Sequence, residues 1–90
     1  MTEYARLMTA IIKKEIPIIG MELALKIARS VPGLQVDNSG NVISVATKIQ
    51  LQILVDLYKQ VSGDISILFA KKAIKQLLTG KEDLPNELKS

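Results

Sequence analysis

Between Thr2 and Glu15 the apolar residues Tyr4, Leu7, Met8, Ile11 and Ile12 recur every three or four positions, and Arg6, Thr9 and Lys13 fall on the other side. This spacing predicts an amphipathic helix. Lys13 and Lys14 suit the negative end of its dipole, and Pro17 disfavours helical geometry at Ile16, so the helix is expected to stop there. Pro17 then fits the first turn of a second helix, carried by Ile19, Leu23 and Ile27 with Ala24, Ala28 and Val31, as far as Pro32-Gly33. Its polar stripe is narrow, being limited to Glu22, Lys26, Arg29 and Ser30. Met21 and Leu25 lie on a flank that a one-sided helix would keep polar, so this helix is expected to have neighbours on two sides.

The period changes over residues 34–45. Leu34 and Val36 alternate with Gln35 and Asp37, and Ile43 and Val45 alternate with Ser44, which predicts two short strands around VDNSGNV. Asp37, Ser39 and Asn41 have the one-three-five spacing of a calcium loop. Val42 and Lys48, however, stand where that loop needs Gly and a bidentate acid. Asp, Asn, Ser and Gly also tolerate tight geometry and bond the local backbone, so the stretch is read as the bend of a β-hairpin.

Thr47-Lys48-Ile49-Gln50 has the form of a capping box and starts a third helix with the stripe Ile49, Ile53, Leu57 and Val61, widened by Leu54 and Tyr58 and ended by Gly63. A fourth helix follows from Asp64 to about Leu78. Ile65, Leu68, Phe69, Ala73 and Leu77 lie on one of its faces, Ile67, Ala70 and Ile74 on another, and Lys71, Lys72 and Lys75 on its charged side. The predicted class is α+β, mostly α: two helices, a small β-hairpin at about 34–45, then two helices packed as one domain over residues 1–80. Residues 81–90 form a polar, proline-broken tail expected to be frayed or weakly helical.

Composition narrows the chemistry. The 90 residues contain neither His nor Cys, so acid-base or nucleophilic work would fall to Asp, Glu, Lys, Tyr or Ser, and no such cluster stands out. Asp56 reads as a solvated residue between Gln52 and Lys59, and Glu22 with Lys26 as a surface pair. Neither phosphate-loop motif occurs. No enzyme activity, cofactor or metal site is therefore expected. The lack of cysteine suits a reducing cytoplasm, MTEYARLM does not resemble a signal peptide, and no apolar run is long enough to span a bilayer.

The net charge is +3, contributed mainly by Lys and spread along the chain. LYKQVSGDISILFAKKAIKQ has the outline of a helix-turn-helix, but its second helix opens with apolar residues where base-reading side chains belong. Lys71, Lys72 and Lys75 remain possible phosphate contacts, which makes a nucleic-acid-binding protein the alternative reading. A further alternative is a small-molecule sensor with an apolar pocket lined by Met8, Met21, Tyr58 and Phe69.

The main expectation rests on the apolar excess of the second and fourth helices. At 48% hydrophobic residues, a chain this short has difficulty covering all its apolar side chains alone. A small cytoplasmic regulatory or adaptor module is expected, acting through protein contacts as a homodimer. The interface candidates are Ile18, Met21, Leu25, Ile67 and Ile74.

Overall fold

The computed structural model describes residues 3–80 and 83–89. Thr2, at the start of the first expected helix, and residues 81, 82 and 90 of the expected tail lie outside this range. Four α-helices carry the fold: α1 (Glu3–Ile19), α2 (Met21–Arg29), α3 (Lys48–Ser62) and α4 (Asp64–Ile74), with 3-10 turns at Lys75–Leu77 and Asn86–Leu88.

The α+β class and its β-hairpin are not found. Among the described residues there is no strand or sheet, only an isolated antiparallel bridge between Val36 and Val42. The bend itself forms. The Asp37 carboxylate accepts hydrogen bonds from the amides of Ser39 and Asn41, both at 2.9 Å, and from the Asn41 side chain at 3.0 Å. What fails is the ladder on either side, because side chains take the backbone groups that would extend it. Thr9 Oγ1 accepts from the Val42 amide, Ser44 Oγ accepts from the Gln35 amide, and the Arg29 guanidinium donates to the Val36 carbonyl. The inward positions after the bend are Val42 and Ala46, while Ile43 and Val45 face outward. The return segment is thus one residue out of phase with the expected strand, and such a slip exchanges the two faces. Gly40, at φ +90°, lets this loop lie directly on α1, where a Cβ would stand 3.2 Å from Ile12 Cγ2.

The first helix also differs from its expected limits. It runs through Pro17 and ends only at Gly20, whose φ of +91° terminates it and whose amide donates to the Ile16 carbonyl. Proline removes one helical donor but need not stop a helix where the freed carbonyl is not buried, and both Pro17 and Lys13 lie on the exposed side. The capping box forms as read: Thr47 Oγ1 accepts from the Gln50 amide, and Gln50 Oε1 accepts from the Thr47 amide.

Side-chain contacts fix how the helices run. Arg6 reaches the Leu77 carbonyl and Ser66 donates to Glu15, so α1 and α4 lie antiparallel. Tyr58 donates to the Ala24 carbonyl and Gln50 to that of Pro32, so α2 and α3 are antiparallel as well. The core between them is built on Leu7, Met8, Ile11 and Ile12 of α1, with Ala24 and Ala28 of α2 and Leu51, Leu54 and Tyr58 of α3. Ala70 and Ile74 of α4 complete it. The tail is not frayed over the described stretch. Leu84, Pro85 and Leu88 are buried, because two leucines four apart straddle a proline-initiated turn and insert on one side.

Candidate interaction surfaces

The cross-helix contacts bring one end of the bundle into view. Tyr58 sits level with Ala24, so one further turn places Val61 level with Met21. Glu15 sits level with Ser66, which places Ile18 beside the Gly63 corner. The α1–α2 and α3–α4 corners therefore share an end. It carries Ile18, Met21, Leu23, Val61 and Ile65, all exposed, with Met21 and Ile65 each at 50%. Both signs of charge stand nearby, with Glu22 and Lys26 around a shallow depression at Met21 and Asp64 at the start of α4.

The five interface candidates separate on this structure. Ile18 and Met21 lie on the exposed end, whereas Leu25 and Ile74 are buried in the chain's own core. Ile67 is half-buried on α4. Sequence periodicity did not single out Val61 and Ile65 as surface residues because each matches an apolar stripe. Their positions beside the Gly63 corner, beyond the end of the packed interior, are what leave them outside. Lys71, Lys72 and Lys75 project from the side of α4 away from the core, Lys72 resting 5.9 Å from the Phe69 ring centroid. The four residues proposed to line a pocket do not meet around one cavity. Met8 and Tyr58 are fully buried core side chains, while Met21 is exposed and Phe69 only partly covered.

One polar constellation went unnoticed in the sequence, and another, around Asp56, reads there as a solvated face. Glu15 is 1% exposed, and Ser66 donates to its Oε1 at 2.8 Å, while Oε2 is buried without a hydrogen-bond partner. Burial raises the Glu15 pKa above 4.5, an effect that the Ser66 bond only partly opposes. The nearby Tyr58 hydroxyl is pushed up too, first by its own burial and then by the Glu15 charge. The signal was present, since Glu15 continues the Met8–Ile11 line by four and Ser66 precedes Ala70 and Ile74 at the same interval. A carboxylate beside a serine is one pattern of nucleophilic chemistry, but here both groups are sealed from solvent, each 1% exposed.

The second constellation joins the tail to α3. Gln52 Nε2 donates to Asp56 Oδ1 at 3.0 Å and to Glu87 Oε2 at 2.8 Å, drawing two carboxyl groups together. Asp56 is thus half-buried under the tail, not on a freely solvated face. Its pKa is raised, chiefly by burial and then by the neighbouring Glu87, whereas hydrogen bonds from its own amide and from Gln52 lower that of Glu87. Lys48 pairs with Asp83 at 2.9 Å, and Tyr4 donates to the Asp83 carbonyl. These contacts clamp the tail to the body. Among the described residues no group of three Asp, Glu, His or Cys side chains is placed to hold a metal, and no helix is long and apolar enough to cross a membrane. Compared with protein-family models, curated proteins and solved structures, the chain matches none.

Proposed function

We propose that the protein is a small helical interaction module that dimerises through the apolar end formed by Ile18, Met21, Leu23, Val61 and Ile65, and that it serves as a regulatory or adaptor component in the cytoplasm. The observation that supports this most is the convergence of exposed apolar side chains from two separate helix corners on one end of a chain whose core is otherwise closed. Solvent-facing apolar clusters on small soluble domains mark contact surfaces. A twofold dimer places the same patch on both partners, so its charges must be self-complementary, and the mixture of Glu22, Asp64 and Lys26 around the apolar centre meets that need. The absence of cysteine suits a reducing compartment.

Met21→Glu is the direct test. Met21 is half exposed, so a carboxylate there is tolerated by the monomer but is desolvated twice in a symmetric interface. The variant should run as a monomer with the helical content and melting behaviour of a folded chain. A variant that remains fully dimeric would remove this end from the interface.

A further inference from the structure

The outer side of α4 carries two adjoining depressions. One, of about 190 Å³, lies among the apolar residues Leu68, Ile74, Leu78 and Leu88 with Lys71, Lys72 and Lys75 around it. The other, of about 320 Å³, is bounded by Lys59, Asp64, Ile67 and Glu87 and shares Leu68 and Lys71 with the first. They make one trough along α4, with the docked tail as its far wall through Leu88. Its floor is apolar, and its rim is basic around the first hollow, with Lys71, Lys72 and Lys75, while the second hollow sets Asp64 and Glu87 beside Lys59 and Lys71. Lys71, Lys72 and Lys75 form no ion pair among the described residues, whereas Glu87, one of the two carboxylates on the second hollow, is already held by Gln52.

We infer that this trough receives an acidic amphipathic helix of a partner protein, with leucine-like side chains entering over Leu68 and carboxylates meeting the lysines. Helix-in-groove recognition uses apolar anchors spaced three and four apart, and the trough runs along a helix of 11 residues, enough for two such turns. Nucleic acid fits less well. Phosphates need the lysines but gain nothing from Leu68, Ile74, Leu78 and Leu88, and the one aromatic ring nearby, Phe69, already lies beneath Lys72. The tail shows the same pairing of features on this body, since it brings Leu84 and Leu88 to apolar ground and Asp83 to Lys48. The inference rests on the reading of the chain as an interaction module; its surface adjoins the proposed dimer end at Asp64, but its apolar anchors and lysines are not part of that end.

The test uses the full chain and a fluorescein-labelled peptide of about 15 residues, long enough to form a helix, with leucines at helical spacing and glutamates elsewhere. Saturable binding in fluorescence anisotropy is expected. It should weaken about tenfold or more in Leu68→Ser, which removes one central anchor, and be lost in Lys71→Glu/Lys72→Glu/Lys75→Glu. All four positions lie at the surface or are only partly covered, and circular dichroism checks that both variants are folded. Amide exchange on the wild-type chain provides a second reading, with added protection expected on α4 and none on α2. Equal binding of a peptide with serines for leucines would overturn the inference by showing charge attraction alone. So would tighter binding of duplex or single-stranded DNA that Leu68→Ser leaves unchanged, or no binding of the acidic peptide at low salt. Running the same titration on Met21→Glu separates the two proposals: retained binding by a monomer supports the trough, and a dimer that ignores the peptide overturns the trough without touching the dimer end.

Discussion

Replacing Glu15 by Gln should make the protein more stable at neutral pH. The carboxyl is 1% exposed, one oxygen bonds Ser66, and the other has no partner, so the ionised form gives up hydration without full compensation. Its folded pKa therefore lies above the ordinary 4.5. The sign follows from proton binding: between 4.5 and the raised pKa the folded chain holds a proton that the unfolded chain has released, so stability falls as pH rises through that interval. Below it the carboxyl is neutral in both states and ionisation adds no cost, and above it the ionisation cost is constant. An unsatisfied buried polar atom costs roughly 1 to 3 kcal/mol. At about 4 to 8 °C per kcal/mol for a domain of this size, the wild type should melt on the order of 4 to 24 °C lower at pH 8 than its own value at the acid end of the window would suggest. Glu15→Gln keeps the shape and the acceptor for Ser66 but cannot ionise. Thermal unfolding of both chains, followed by circular dichroism at a series of pH values, should show the two curves converging near pH 4.5 and separating above it, the variant higher. Parallel curves, or a wild type more stable than the variant at pH 8, would mean that the buried carboxylate is compensated, and would refute the reasoning.

Other substitutions examine the loop and the capping box. Gly40→Ala places a Cβ at positive φ and 3.2 Å from Ile12, and should cost about 1 to 2 kcal/mol from backbone conformation, plus the contact, as measured by urea unfolding. Thr47→Ala removes the acceptor of the Gln50 amide and should destabilise the chain by about 1 kcal/mol in the same assay. A cost indistinguishable from zero would show that α3 starts independently of its cap.

The four helices and the α3 cap were legible because each depends on local spacing. The 3.6-residue stripes of α1 and α3 and the Thr47–Gln50 reciprocity need no knowledge of the rest of the chain. The strands were misread because alternation over Leu34–Val36 and Ile43–Val45 is also what a loop shows when it presents single residues to a helix beneath it. Only the tertiary partners Thr9, Arg29 and Ser44 decide that the ladder is not extended. Pro17 illustrates the same limit. Its effect depends on whether the carbonyl it frees is buried, and that is a property of the packed molecule. Leu25 and Ile74 entered the interface candidates because a flank that looks surplus on one helix can be filled by another, as the core here does. Glu15 escaped notice for the opposite reason: a charged residue on an apolar line is ordinarily placed at the boundary, and its burial shows only once Ser66 is brought across from α4.

The central claim is that the apolar end of the bundle joins two copies of the chain. Light scattering coupled to size exclusion, over a range of protein concentrations and at low and high salt, measures this most directly. The account predicts a mass twice that of the 9.9 kDa chain, persisting at high salt because the centre of the contact is apolar and only its rim is charged, and falling to the monomer value in Met21→Glu. A wild-type chain that stays monomeric at every concentration would contradict it.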